Sequence, residues 1–365
     1  MFRKKITNLT IITITIITTV GCVKTDHISR PNWQAIKANA TFIVPDTSYG
    51  TPYIQPLNVG GWEDGLYISR DGLELYAYYI PVDVFSLGAA WEKDPICFDY
   101  RPYYRPPMLG VDMVSNPWGC ENFFQGDIII ATRDNINSPF GEWQPSNLQR
   151  SISHEGAPCG VLKDESTYDV FVFTQNRDDI KDMEIMFMRE VPRNPSSETA
   201  VSIVSTTGEE GNPHIERLDD NTLLLFFDRD RHIYYSLSYN NGSTWQEPVL
   251  ITHVLNDQAP YDVQPHLWND GTDWWVYFCA DNEQGKRCIY KSKQQIANDW
   301  DSWSEKQLVI EPGEITGGYG IILGVGEPTL TQRGDISFVV IYGDPNSEDK
   351  TDVWDCDPWF LPKGE

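Results

Sequence analysis

The sequence predicts an all-β protein, a five-bladed β-propeller with four antiparallel strands in each blade. Two observations carry this prediction. A short acidic phrase recurs along the chain at intervals of roughly 50–90 residues, and such repetition is typical of repeat architectures. The 27 Gly and 24 Pro residues are spread throughout, with no long amphipathic helical pattern between them, which favours many short strands joined by turns.

The acidic phrase opens each predicted blade. Its copies are Glu63-Asp64-Gly65-Leu66, Glu155-Gly156-Ala157-Pro158, Glu210-Gly211-Asn212-Pro213, Asp262-Val263-Gln264-Pro265 and the variant Gly326-Glu327-Pro328. Each copy is followed by a run of β-branched or aromatic residues, the composition that favours strands, at 73–79, 168–173, 222–227, 273–278 and 336–342. The phrase therefore predicts a strand–turn–strand unit with an acid at the same structural point each time.

A tryptophan phrase predicts the outer strands. Trp143, Trp245 and Trp303 are each followed, five residues later, by an apolar residue, and a strand-like run precedes each of them. Together the two phrases give blades at about 62–153, 154–209, 210–261, 262–325 and 326–362, with an insertion at 80–126. A strand near 41–44 or 53–57 is expected to close the ring, since closure removes exposed sheet edges.

Two turns carry a family resemblance. The segment from Ser238 to Trp245 resembles the Asp-box of sialidase-type propellers, with Asn240 in place of the aspartate. The segment from Ser69 to Tyr76 is similar to a hairpin of TolB-type propeller repeats. Both resemblances imply structural turns, and a shared fold does not fix an activity.

The first 21 residues read as a signal peptide. Basic residues at 3–5 precede an Ile/Thr-rich segment, and Thr19-Val20-Gly21-Cys22 resembles the lipobox of bacterial lipoproteins. The resemblance implies lipidation of Cys22, a polar tether at 22–40 and a propeller at 41–365. Val23 resembles an outer-membrane sorting signal, so we expect an exported, lipid-anchored protein of the outer membrane. The alternative is an ordinary secretory signal.

Charge and cysteine content restrict the partners. The net charge of −25 argues against nucleic acid, whose binding needs a basic surface. Six of the seven cysteines remain after Cys22, an even number that suits an oxidising compartment. One pairing among many joins Cys279 to Cys288, Cys97 to Cys120 and Cys159 to Cys356. The cysteine spacings do not fit a zinc site.

The repeated acids suggest glycoside hydrolysis, ligand binding without turnover, or a cation site, which is compatible with either of the others. If the blades are symmetric, the acids gather on one face around the axis, where nearby like charges raise each other's pKa. Ca²⁺ is the one cofactor considered, because hard cations prefer carboxylate and carbonyl oxygens. Its candidate ligands are Asp228, Asp230 and Asp281, although none of them lies in an EF-hand loop pattern.

The predicted ring resembles the five-bladed arabinanase, levansucrase and invertase group of glycosidases. In that group a first-blade acid is base or nucleophile, a second-blade Asp tunes the pKa and a third-blade Glu is the proton donor. The resemblance implies Asp64 (or Glu63), Glu155 and Glu210 in these roles. The first blade lacks the Asp-Pro pattern of that group, and its second-blade residue here is Glu.

The insertion supplies candidate ligand contacts. Long loops in compact domains are usually functional or disordered, and aromatic rings stack on sugars. The proposed contacts are Trp91, Tyr103, Tyr104, Arg105, Trp118, Glu63, Asp262 and Glu327. In the alternative, the rings only pack the insertion onto its blade. We therefore expect a monomer whose acidic face binds a carbohydrate or similar polar ligand without assured turnover. The alternative is a glycoside hydrolase with paired carboxylates.

Overall fold

The computed structural model describes residues 32–55, 57, 59–81, 113–114, 123–124, 126–148, 155–176, 183–204, 208, 210–252, 255, 262–343 and 354–364. Within them the chain forms one short helix, α1 (Trp33–Ala38), and a 3₁₀ turn at Ser197–Thr199. No helix among these residues is long and apolar enough to cross a bilayer. The rest of the regular structure is strand, so the all-β prediction is confirmed at this level.

The strands are, in chain order, β1 (Ala40–Ile43), β2 (Tyr53–Ile54), β3 (Trp62–Ile68), β4 (Glu74–Ile80), β5 (Met113–Val114), β6 (Phe123–Phe124), β7 (Asp127–Thr132), β8 (Gln144–Pro145), β9 (Glu155–Leu162), β10 (Thr167–Asn176), β11 (Met183–Pro192), β12 (Val201–Val204), β13 (Glu210–Arg217), β14 (Leu223–Arg229), β15 (His232–Ser238), β16 (Val249–Leu250), β17 (Val263–Asn269), β18 (Trp274–Asp281), β19 (Arg287–Lys293), β20 (Gln307–Ile315), β21 (Ile321–Leu330), β22 (Ile336–Gly343) and β23 (Trp354–Leu361).

Consecutive strands pair antiparallel. Strands β9–β12 and β13–β16 form separate four-stranded sheets. Strands β5 and β6 form a two-stranded sheet. In the largest sheet, the antiparallel runs β3-β4-β7-β8, β17-β18-β19-β20 and β21-β22-β23 are joined, within the described residues, by single parallel pairs, Arg287 with Gly324 and Cys356 with Trp62. The N-terminal strands add to later ones: β1 pairs with β20, and β2 pairs with β23.

A bulge recurs in the first strand of each run, inside the acidic phrase. The pairing register shifts there, and one residue has a left-handed backbone: φ is 57° at Gly65, 44° at Ala157, 44° at Asn212, 60° at Gln264 and 53° at Glu327. Only glycine adopts this conformation without strain, so the surrounding structure holds the other four. Aligned on this bulge, Val325 takes the place of the repeated acid, and Glu327 takes the left-handed position itself.

The tryptophan phrases pack one sheet against the next. The Trp245 ring lies 5.9 Å from that of Phe187 on β11, and the Trp303 ring lies 6.0 Å from that of Phe226 on β14. Asn240 makes the turn before Trp245, because its Oδ1 accepts hydrogen bonds from Ser238 Oγ (3.1 Å) and the Thr244 amide (2.8 Å). The Asp-box-like segment is thus a structural turn that delivers a packing tryptophan.

The described cysteines are free thiols, so two predicted disulfides are wrong in this structure. Cys279 on β18 pairs with Ile289, one residue beyond Cys288, and adjacent residues of a strand point to opposite faces. Cys159 and Cys356 are buried in different core clusters. The third predicted pair, Cys97 with Cys120, lies outside the described residues.

Helix α1 is docked although it lies within the predicted tether at 22–40. Ile36 is fully buried, and Lys37 Nζ lies 2.7 Å from Asp355 Oδ2 and 2.6 Å from Asp357 Oδ2 on β23. Glu63 on the adjoining β3 is also fully buried, and burial together with Asp357 and Asp355 raises its pKa well above the usual range. We call Lys37, Asp355, Asp357 and Glu63 the seam cluster, because they join α1, β23 and β3.

Candidate functional site

The bulges of four runs, those of β3, β9, β13 and β21, open onto a cavity of about 340 Å³, which we call the funnel. Its wall is made by Asp64, Gly65, Tyr78, Gly156, Ala157, Thr174, Met183, Glu210, Gly211, Asn212 and Glu327. This volume lies at the lower end of the range for small-molecule sites. Three carboxyl groups, from β3, β13 and β21, face one space.

Asp64 breaks the repeat. Its equivalents at the other bulges are Gly156, Gly211, Val263 and Gly326, so this copy alone places a carboxyl there. The Trp62 Nε1–H donates to Asp64 Oδ2 at 2.7 Å. Burial raises the pKa of Asp64 to about 6 in spite of that bond. Asp64 therefore titrates close to neutral pH, as catalytic carboxyl groups often do.

Glu327 lies beside Asp64 and is held by two donors. Its Oε2 accepts from the Leu66 amide at 3.0 Å, and its Oε1 accepts from Gln264 Nε2 at 2.9 Å. Burial and the neighbouring Asp64 raise the pKa of Glu327 well above its ordinary value, and the backbone donors offset this only in part. Two carboxyls so placed resist simultaneous ionisation, so the pair retains a proton more readily than an isolated acid would.

Glu210 has a different environment. Arg229 Nε donates to Glu210 Oε1 at 2.9 Å. The guanidinium itself is positioned by two rings, with its Cζ 5.3 Å from the centre of Phe227 and 4.9 Å from that of Tyr234. The funnel thus contains one ion-paired carboxylate from β13 and a proton-retaining pair from β3 and β21.

Asp228, a predicted calcium ligand, ties two bulges together. Its Oδ2 accepts from Asn212 Nδ2 at 2.8 Å and from the Gln264 amide at 2.9 Å. Asp230 lies in an exposed turn. Asp281 Oδ1 lies 3.6 Å from Arg287 Nη1. Across the described part of the chain, no group of three or more His, Cys, Asp or Glu side chains is arranged to hold a metal ion.

The other predicted acids lie outside the wall of the funnel. Glu155 is fully buried and accepts from Gln175 Nε2 at 2.6 Å. Glu63 belongs to the seam cluster, and Asp262 is buried with 4% of its surface exposed. Trp91, Tyr103, Tyr104, Arg105, Trp118 and Cys22 lie outside the described residues.

Sequence reasoning missed Tyr78, which pairs with Asp64 across β3 and β4. Three glycines make room for its ring: a Cβ at Gly126 would come within 2.1 Å of it, and Gly65 and Gly156 also border the side chain. Burial and the nearby Asp64 and Asp127 raise the pKa of Tyr78, so the phenol keeps its proton. Glycines at 65, 126 and 156 were the available signal, but their meaning depends on the fold.

No protein-family model and no curated protein sequence matches this chain. Among solved structures, it is similar to a thermostable family-43 glycoside hydrolase, with a TM-score of 0.50 and 10% identity over 84% of this chain and 91% of that one. It is also similar to the catalytic domain of the Coprinopsis cinerea GH62 α-L-arabinofuranosidase (TM-score 0.46, 10% identity, 89% of this chain and 96% of that one). The endo-arabinase from Bacteroides thetaiotaomicron VPI-5482 gives a TM-score of 0.45 at 10% identity, over 85% and 96% of the two chains. The likeness to the family-43 hydrolase shows a shared β-propeller fold.

Proposed function

We propose that this chain is a glycoside hydrolase on a five-bladed β-propeller, and that the funnel binds the sugar whose bond is cleaved. One observation carries the proposal: Asp64, Glu210 and Glu327 line the same cavity in contrasting environments. Glycosidases need one protonated and one ionised carboxyl group on either side of the scissile bond. The shared fold with a family-43 glycoside hydrolase supports turnover over binding alone.

The surroundings of the three funnel carboxyls suggest the catalytic role of each. Asp64, with a pKa raised to about 6 and Glu327 beside it, is suited to donate a proton to the leaving oxygen. Glu210, ion-paired with Arg229, is suited to act as the carboxylate that attacks the sugar or activates water. These roles reverse those implied by the resemblance. Glu155 lies outside the funnel wall, so we assign it no contact with substrate.

The small funnel favours a terminal or side-chain sugar over the middle of a long polymer. In this proposal the protein works as an exported monomer, anchored to the outer membrane through Cys22. Replacing Cys22 with Ser should move the protein from the membrane fraction to the soluble fraction. An unchanged distribution would remove the anchor from the proposal without affecting the chemistry.

The chemistry is tested with a panel of aryl glycosides of pentoses and hexoses. We expect the wild-type chain to hydrolyse at least one, and Glu210→Gln to lose at least about a thousandfold in kcat. Restoration of turnover by added azide or formate would assign the attacking carboxylate to Glu210. If no glycoside is cleaved while a sugar still raises the melting temperature, the chain is a binding protein and the proposal fails.

A further inference from the structure

A second, smaller cavity shares part of its wall with the funnel. Its volume is about 30 Å³, and its wall takes Gly65, Ala157, Asn212 and Glu327 in common with the funnel. The remaining wall includes Tyr67, Cys159, His214 and His266, from three different sheets. This space suits one or two water molecules, or another solute of two heavy atoms. A small polar molecule in the funnel is therefore separated from Cys159 only by the layer of bulge residues.

Cys159 begins a chain of three side chains. Its Sγ lies 3.5 Å from His214 Nδ1, and His214 Nε2 lies 3.0 Å from Glu216 Oε1. Arg70 from the β3–β4 turn bonds to Glu216 and donates to the Leu267 carbonyl at 2.6 Å and the Leu330 carbonyl at 3.2 Å. A nucleophile, a base and an acid that orients the base thus stand in sequence, as in activated nucleophile sites.

The pKa values of the two histidines of the cavity are shifted in opposite directions. Burial disfavours charge on His214, but Cys159 and Glu216 outweigh it and raise its pKa. Burial, His214 and Arg70 lower the pKa of His266 well below the usual value, and its Nε2 accepts from the Leu330 amide at 3.1 Å. His214, rather than His266, is therefore placed to take a proton from the thiol.

We propose that Cys159 is a modification site that reacts selectively with small hydroperoxides. The sulfur attacks the nearer peroxide oxygen, the S–O bond forms and the O–O bond breaks. His214 takes the thiol proton and passes it to the departing hydroxide, which leaves as water. The sulfur is oxidised by two electrons to a sulfenic acid and the peroxide is reduced, so thiol and hydrogen peroxide give sulfenic acid and one water.

The other described cysteines lack this setting and serve as internal controls. Burial raises the pKa of Cys279 to about 12 and that of Cys288 to about 12, and it raises the pKa of Cys356 well above its ordinary value. Cys288 Sγ donates to the Lys286 carbonyl at 3.3 Å instead of to an imidazole. Burial among apolar side chains makes a thiol inert, whereas an adjacent base activates it.

The test uses the folded full-length chain. It is exposed to hydrogen peroxide for set times, quenched with catalase, unfolded with a cyclic 1,3-diketone that tags sulfenic acids, and digested for peptide mass mapping. We expect tagging at Cys159 at least about tenfold faster than at Cys279 or Cys356. Cumene hydroperoxide, too large for the cavity, should lose this selectivity. Equal rates at the three cysteines with hydrogen peroxide would overturn the proposal without any variant.

A variant tests the role of the base. His214→Asn removes the imidazole and should slow tagging at Cys159 by at least about tenfold. The matched control is His232→Asn, at a histidine on β15 outside the cavity, which should leave the rate unchanged. Both variants are compared at a temperature below their unfolding transitions. An unchanged rate in folded His214→Asn would show that the imidazole does not activate the thiol.

Discussion

The funnel and the seam cluster are both groups of buried carboxyls that include one residue of β3, and their surroundings differ in kind. In the seam cluster, Lys37 neutralises Asp355 and Asp357 within 2.7 Å, and Glu63 lies against them. In the funnel, Asp64 and Glu327 face an open cavity, and no lysine is among the described residues that form its wall. Residues 63 and 64 are neighbours, so a one-residue difference separates a structural acid from a candidate reactive one.

This difference teaches how to interpret a repeated acid. The position that recurs in the sequence, occupied by Glu63, Glu155, Glu210 and Asp262, is mostly directed into packing between strands. The funnel carboxyls that matter most, Asp64 and Glu327, occupy positions where the other copies have different residues. Repetition marks the fold, and departure from repetition marks the site. Glu210 belongs to both groups, since it recurs and also lines the funnel.

The largest expected effect separates substrates by leaving group. If Asp64 is the proton donor, Asp64→Asn should lower kcat about a thousandfold for alkyl or oligosaccharide leaving groups. The same variant should lose less than about tenfold with a dinitrophenyl glycoside, whose phenolate leaves without a proton. Stopped-assay rates on the two substrates measure this. Equal losses on both would show that Asp64 does not protonate the leaving group.

The substitution Lys37→Met tests the seam cluster, because it removes the charge of the side chain and keeps most of its length. Two buried carboxylates then lose their cation, and we expect a loss of about 3 kcal/mol in the free energy of unfolding. Urea unfolding followed by tryptophan fluorescence measures it. Lys163→Met is the control, since Lys163 pairs with Glu190 in solvent and should leave the midpoint nearly unchanged. A Lys37→Met protein as stable as wild type would mean that the seam carboxyls need no cation.

In the funnel, removing a charge should stabilise the protein, whereas removing the charge of Lys37 should destabilise it. The folded-state pKa of Asp64, about 6, lies above its unfolded value, so ionisation of Asp64 weakens the fold as pH rises through that range. Asp64→Asn should therefore stabilise the protein by about 1–2 kcal/mol at pH 7.5, and by much less below pH 4. This figure is smaller than the free energy that corresponds to the full pKa difference, because the carboxyl opens onto the funnel. Unfolding curves at both pH values measure it, and an equal change at both would contradict the shift.

The smallest effect concerns the room for Tyr78. Gly126→Ala places a Cβ within about 2.1 Å of the Tyr78 ring, so the ring must move away from Asp64. We expect about 1–2 kcal/mol of destabilisation together with a rise in KM. Gly285→Ala is the control for loss of a glycine, since a Cβ there meets no atom within 4 Å, although its left-handed backbone adds strain of its own. If Gly126→Ala left KM unchanged, Tyr78 would have no part in shaping the funnel.

Much of this fold follows from local patterns. The acidic and tryptophan phrases mark real strands and packing contacts, because each depends on period-two alternation and turn chemistry within about ten residues. The sequence also indicates Asp64 and Glu210. It also names Glu327 as a ligand contact but not as the partner of Asp64, because counting from the acid aligns Glu327 with the wrong position of the bulge.

What the sequence could not show depends on contacts between distant segments. Asp228 meets both Asn212 and Gln264 because β17 lies against the β13–β14 hairpin. The proposed Cys279–Cys288 disulfide failed on a one-residue register difference, which no spacing rule reveals. The sequence of helix α1 predicts part of a polar tether. In the structure, Ile36 is buried and Lys37 pairs with Asp355 and Asp357, which are distant in the sequence.

The central claim is that the proton donor is Asp64, the carboxyl that breaks the repeat, and that the repeated acid Glu155 takes no part in catalysis. Its most direct test is the kcat of Asp64→Asn beside that of Glu155→Gln, on the same glycoside with a poor leaving group. We predict a loss of about a thousandfold for Asp64→Asn and less than about threefold for folded Glu155→Gln. An active Asp64→Asn beside an inactive, folded Glu155→Gln would contradict the account.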